Sequence, residues 1–383
     1  MTIPKLRFKD DNGQEFPTWK EKKVCDIFDY IVDKKHPTET VLTIKQGIGT
    51  VPRTLSGIDI KYKAQSLDTY KLVDKNDFII HLRSFQGGFE IANSRGIVSP
   101  AYTILRNKTP IAYGFYRAYF RTNGFINHNL NIVVEGIRDG RTININDLKE
   151  RPLPFPSLTE QQKISDFLSS YDAMIDNQSR RLQTLQKRKL GLLQGIFNQS
   201  LRFRDSNGRE FPAWEEKRLG DIASIKTGMK PKEPLNDTAK FEYINAGTTN
   251  SGHVDAFNCE GNVVTTPSRG QGGIGHVGYQ KGRFWLGPLC YGITSCNQGI
   301  VTKYIYYFLL RHNWLIVDLK KVGSIPAVNR KDLLELLIQI PCLEEQRRIA
   351  DFLSVVDKQI DVEEKRLETI KTIKKGLLQQ LFV

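Results

Sequence analysis

The sequence predicts an α+β fold: two mixed α/β modules separated by two long helices that form an antiparallel coiled coil, arranged as a pseudo-two-fold repeat. Three observations predict it. Residues 156–197 return as residues 341–382, in register and without a gap, with about half of the positions identical. A second segment, Leu6-Arg-Phe-Lys-Asp-Asp-Asn-Gly-Gln-Glu-Phe-Pro-Thr-Trp19, returns as Leu201-Arg-Phe-Arg-Asp-Ser-Asn-Gly-Arg-Glu-Phe-Pro-Ala-Trp214. Within the longer repeat the apolar residues are spaced for a helical seam. Long internal repeats set the architecture before any single motif does.

The seam runs through Ile164, Leu168, Tyr171, Ile175, Gln178, Leu182, Leu185, Lys189, Leu192 and Ile196, and through their counterparts from Ile349 to Leu381. Steps of four and three over several heptads argue a coiled coil rather than an ordinary surface helix. At ~1.5 Å per residue each helix spans roughly 55–60 Å. Pro156 and Pro341 stand just upstream of the expected helix starts at Thr159 and Glu344. Gln178 and Glu363 are equivalent polar seam positions. In an antiparallel pair with opposed midpoints they face each other, and such a position fixes register at some cost in stability.

The chain order is module, helix, module, helix, with boundaries at 1–155, 156–198, 199–340 and 341–383. Asn12-Gly13 and Asn207-Gly208 read as tight turns. In the first module, short β-rich runs at 41–44, 78–82, 102–105 and 131–134 predict strands, and 112–121 a helix packed on them. Arg151-Pro-Leu-Pro-Phe-Pro156 is stiff and marks a boundary. In the second module, 241–244, 261–264 and 283–286 predict strands and 303–313 a helix. Tyr306, Arg311 and Asn313 echo Tyr116, Arg121 and Asn123. A cyclic repeat order also predicts chain termini that lie close together.

The 383 residues carry a formal net charge of +14, which suits a polyanionic partner, most often nucleic acid. The five cysteines show no CxxC spacing and read as free thiols of a reducing compartment. No apolar signal core opens the sequence and no run approaches ~18 apolar residues, so a soluble intracellular protein is expected. The sequence holds no Walker loop, HExxH, GxSxG or amino-methyltransferase Asn/Asp-Pro-Pro-Tyr/Phe motif. Gly273–Gly278 matches GxGxxG, yet the residues after it do not open a helix, which argues against a dinucleotide site. The six histidines show no ligand spacing. No catalytic or metal-ligating residues are assigned.

Equivalent loops of the two modules share a glycine frame and differ in polar side chains. Arg83-Ser84-Phe-Gln86-Gly-Gly stands against Ser268-Arg269-Gly-Gln271-Gly-Gly, and Ile44-Lys45-Gln46-Gly47 against Ile244-Asn245-Ala246-Gly247. Glycine allows sharp turns and close approach. Arg and Lys read guanine and Gln and Asn read adenine in the major groove. One scaffold with two sets of readers recognises two short sequences, which makes Lys45, Gln46, Arg83, Ser84, Gln86, Asn245, Ser268, Arg269 and Gln271 candidate base contacts. Arg53, Lys61, Lys63, Lys226, Lys230 and Lys232 are candidate phosphate contacts, which position without specifying. For any one of these, a structural turn or a solvated flank is the simpler reading.

The Phe-Pro-x-Trp segments at 16–19 and 211–214, Arg83-Ser-Phe-Gln-Gly-Gly with Ile97-Val-Ser-Pro-Ala-Tyr102, and the Pro-x-Leu-x-Glu-Gln helix openings followed by Asp-Phe-Leu make the chain similar to specificity subunits of Type I restriction-modification enzymes. The resemblance covers essentially the whole chain. It implies two target-recognition domains on an antiparallel coiled coil, with no catalytic activity or cofactor on this chain. It also implies double-stranded DNA, two methylation subunits and two motor-nuclease subunits as partners in a prokaryotic cytoplasm. S-adenosylmethionine, ATP and Mg are then expected on the partner subunits. The helix openings, Glu160, Gln161, Phe167 and Leu168 with Glu345, Gln346, Phe352 and Leu353, become candidate docking positions. The alternative from another class is a non-catalytic coiled-coil scaffold with two protein-interaction modules and no DNA readout.

Overall fold

A computed structural model describes residues 4–57, 64–81, 88–136, 142–270, 272–296, 298–321, 323 and 325–382. The chain divides into two compact units. The first joins residues 1–179 to 366–383, and the second runs through 180–365. Each unit therefore holds one module, the half of a long helix that leads out of it, and a half of the other long helix.

The long helices are Leu158–Phe197 and Leu343–Phe382. Every predicted seam position in both is buried or half-buried. Pairing is antiparallel within each unit. In the second, Arg181 pairs with Glu363 at 2.7 Å and Lys189 with Asp357 at 2.7 Å, so numbers rise along one helix as they fall along the other. In the first, Lys374 pairs with Asp172, and Leu381 shares a core with Ile164 and Leu168. Gln178 belongs to the first unit and Glu363 to the second, and both are buried.

The main sheets of the two modules share one strand order. The first contains a four-stranded antiparallel sheet in the order Phe28–Ile31, Thr103–Asn107, Phe78–Ile80, Phe89–Ile91. The second repeats it as Ala223–Thr227, Cys290–Ser295, Val263–Pro267, Gly278–Gln280. One helix covers each sheet, Tyr113–Tyr119 and Thr302–Arg311. Both helices are short and aromatic, and bury rings on the sheet. Phe28, Phe78, Tyr116 and Phe120 form edge-to-face and tilted pairs in the first core. The aromatic quadrupole favours that geometry over face-to-face stacking.

Several expectations need correction. Residues 131–134 are not one strand: Asn131–Val133 closes a run of helical turns and only Val134 enters a two-residue strand. Val133 is buried in the main core, which accounts for the apolar pattern without a strand. The proline-rich boundary is itself a strand, Pro152–Phe155, paired with Lys20–Lys23. A two-stranded ribbon tolerates proline because one edge needs no ladder bond. Glu215–Arg218 with Leu337–Ile340 is its counterpart. The echo of Tyr116 by Tyr306 is out of register. Phe382 packs on Phe115 in one module and Phe197 on Tyr304 in the other, so Phe115 and Tyr304 correspond. The buried hydroxyl has moved by one position: Tyr116 donates to Pro154 O and Tyr304 to Gln339 O.

The N-terminal segments dock alike. Leu201 N donates to Gly195 O at 2.8 Å, a contact made by the chain folding back after its own helix. Leu6 N donates to Gln380 O at 3.1 Å, the same contact made with the end of the other helix. The expected nearness of the two ends of the repeat is present at these residues.

Candidate nucleic-acid interface

In the first module Leu42–Lys45 and Gly49–Pro52 form a hairpin, with Lys45 opposite Gly49. Gln46, Gly47 and Ile48 make its tip and all three are exposed. Gly47 sits at φ +82°, a region that an L side chain resists. Lys45 is half-buried at the strand end. Arg53 lies further along, where its Nε donates to Thr43 Oγ1 at 3.2 Å. Arg83, Ser84 and Gln86 lie outside the described residues, as do Lys61, Lys63 and Gln271.

The second module carries a longer loop in the place of that hairpin. Phe241–Ile244 pairs with His253–Val254, and residues 245–252 connect them. A cavity of about 120 Å³ opens there, lined by Asn245, Thr248, Thr249, Asn250, His276 and Gln280 among others. Burial pushes the His276 imidazole below its ordinary pKa. Asn245 serves the fold, because its Oδ1 accepts from Leu289 N at 2.9 Å. Ser268 is half-buried in a backbone ladder with Leu289 and Val328. Arg269 is exposed. Sheet pairing sets Val264 against Ile293 as Phe78 is set against Leu105. That register sets Phe78 and Val264 186 positions apart, one more than the offset of the long helices. Lys226, Lys230 and Lys232 are exposed around the end of the strand Ala223–Thr227.

The Glu-Gln pair at each helix opening is internal. Glu160 and Glu345 have no solvent exposure. Arg7 grips Glu160 through Nε and Nη2 at 2.9–3.1 Å while donating to the carbonyls of Phe16 and Pro17. Arg202 does the same to Glu345 and to the carbonyls of Phe211 and Pro212. Gln161 accepts from Ala112 N and donates to Pro156 O; Gln346 accepts from Val301 N and donates to Pro341 O. Leu168 and Leu353 are core residues. Six of the eight candidate docking positions thus fasten a module to its helix, because a buried carboxylate or amide must be met internally. Phe167 and Phe352 remain on the outside, edge-to-face with Phe8 and Phe203. Sequence reading missed this clasp because its partners lie 153 and 143 residues apart.

The protein-family profile described as Type I restriction modification DNA specificity domain matches the chain twice, over residues 17–187 and 213–372. The chain belongs to this family. As a specificity-domain protein with two such domains, it is 24% identical to the Type I restriction enzyme MjaVIII specificity subunit of Methanocaldococcus jannaschii, over 98% of this chain and 94% of the relative. The putative MjaX specificity subunit of the same organism is 26% identical, over 63% of this chain and 60% of the relative. The fold is that of a Type I restriction-modification S subunit from M. genitalium, with a TM-score of 0.68 at 19% identity, covering 100% of this chain and 99% of the other. No helix among the described residues is long and apolar enough to cross a membrane.

Proposed function

We propose that this specificity subunit reads a bipartite, asymmetric DNA site, one half per module, and that the coiled coil sets the unread spacer. The observation that carries the reading is one main-sheet strand order used twice, with different side chains and loop lengths at the same position: a tight hairpin at Lys45–Gly49 and an eight-residue loop at 245–252. Matching main sheets with different readers are what an asymmetric site needs. Two readers on one face of B-DNA sit about one turn apart, roughly 34 Å. Base contacts then specify, while exposed lysines such as Lys230 and Lys232 position the protein on phosphates.

Chemistry on the DNA belongs, in this reading, to partners. Two methylation subunits carry S-adenosylmethionine, and two motor-nuclease subunits use ATP and Mg. The partly exposed Phe167 and Phe352, at equivalent places on the two helices, are the docking positions we retain. The test is genome-wide adenine methylation in a host carrying the methylation subunits, with and without this chain. A bipartite motif with a fixed spacer, present only with the chain, is the expected result. No new motif from a complex that assembles would sink the reading.

A further inference from the structure

We propose that Ile48 is a specificity-determining residue of the first module and that Glu90 is the residue that positions it. The inference rests on the DNA-reading function proposed above and names where in the first module one base position is read.

The hairpin tip is fixed from beneath with unusual completeness. Gly47 N donates to Glu90 Oε1 at 2.6 Å. Arg117 Nη2 donates to Gly47 O at 3.2 Å, and Asn93 Nδ2 to Ile48 O at 3.1 Å. Ile48 N closes the turn on Lys45 O at 3.1 Å. The amide and carbonyl of Gly47 and of Ile48 are therefore all engaged on the protein side. Gly49 seals the approach: at φ +105°, a Cβ there would stand 2.6 Å from Ile91 O.

Glu90 is itself an expensive fixture. It is 2% exposed and sits on a strand of the main sheet, its Oε2 paired with Arg121 Nη2 at 2.6 Å. Burying a carboxylate costs free energy that only close pairing offsets. Water alone would satisfy an ordinary surface turn, so a buried carboxylate, paired with the part-exposed Arg121, fixes the position of this one. The side chain that this fixed turn presents outward is apolar: Ile48 is 55% exposed, beside the polar Gln46. A two-stranded ribbon fits the major groove, where an apolar side chain contacts the thymine methyl and glutamine pairs with adenine. The second module has Gly278 where Glu90 stands, since Val264 pairs with Tyr279 as Phe78 pairs with Ile91. Among the described residues no carboxylate takes that place beneath its longer loop, consistent with a different reader there.

The test uses the whole methylation complex and the methylated motif as readout. Ile48→Ala should relax one position of one half-site by about tenfold in discrimination, the scale of a single mismatched pair, and leave the other half-site and the spacer intact. Glu90→Gln should blur the same half-site while readout of the other half-site is retained. A merely structural Glu90 would instead lower methylation at every site with the motif unchanged. An unaltered motif with both Ile48→Ala and Ile48→Arg overturns the inference and leaves the bipartite reading standing. A parent chain that yields no bipartite motif overturns both.

Discussion

Arg7 closes on Glu160 across 153 residues of sequence, with its Nη2 2.9 Å from Oε2 of a carboxylate that has no solvent exposure. Arg202 and Glu345 repeat the arrangement at 2.7 Å. Trp214 Nε1 adds a third donor to Glu345, at 3.0 Å. Removing the arginine strands a carboxylate that has no solvent exposure. Arg7→Ala should therefore cost the first unit about 3–5 kcal/mol, and Arg202→Ala the second unit a similar amount. Denaturant unfolding followed separately in each unit by hydrogen exchange checks this. Loss in the wrong unit, or none, would mean that the clasp is not what holds module to helix.

The pH response comes from imidazoles that are buried at His81 and half-buried at His276 and His312. His312 lies tilted against Phe308 and edge-to-face with Trp314, and its Nδ1 bonds to Phe308 O at 3.0 Å. Burial, reinforced by Arg311, pushes its pKa below the ordinary value despite the Phe308 carbonyl. Burial likewise lowers His81 and His276. Below about pH 6.5 the unfolded chain binds more protons than the folded one. Stability is then full at neutral pH and falls as pH drops through the unfolded-state pKa. Thermal melts from pH 8 to pH 5.5 should show that fall, and His312→Asn should make it shallower in the second unit.

The helical half of this fold was legible because its signal is local. Leu168, Leu182 and Leu192 announce their seam at fixed steps, and their counterparts announce it again. The sheets were harder to read. Ala223–Thr227 ends in exposed Lys226 and Thr227, so it lacks a run of apolar residues, although its first residues are core. The site was hardest. Glu160 and Gln161 read as surface because they are polar at a helix start, and only Arg7 and Ala112, distant in sequence, make them internal. Glu90 is a lone carboxylate in an apolar strand, and nothing in its neighbours announces Arg121 and Gly47.

Gly228 governs where the basic loop of the second module begins. A Cβ at this position would overlap the Leu286 carbonyl, to which Met229 N donates at 3.1 Å. Trp285 Nε1 in turn donates to Met229 O at 2.7 Å. The obstacle is backbone, so a side chain cannot swing aside to relieve it. Gly228→Ala should destabilise the second unit by about 1–3 kcal/mol, the usual range for overpacking, and displace the loop that carries Lys230 and Lys232. Melting curves and hydrogen exchange at Met229 would register both effects. A wild-type response at Met229 would show that the loop is not braced on this strand.

Those lysines make a separate, electrostatic prediction. DNA affinity of the assembled complex should fall steeply and linearly on a log–log plot as salt rises, because each neutralised phosphate releases counterions. Lys226, Lys230 and Lys232 are exposed. If they lie on the backbone, alanine at each should reduce the salt slope by about 1 and weaken binding to all sequences alike. Arg269→Ala should behave differently. As an exposed arginine of the glycine-framed loop, it should relax one position of the second half-site and leave the first unchanged. A salt titration on two DNAs, one with the intact site and one with a single altered pair, separates the two classes of residue. Lysine variants that changed the sequence preference, or an arginine variant that changed only the slope, would exchange the two assignments.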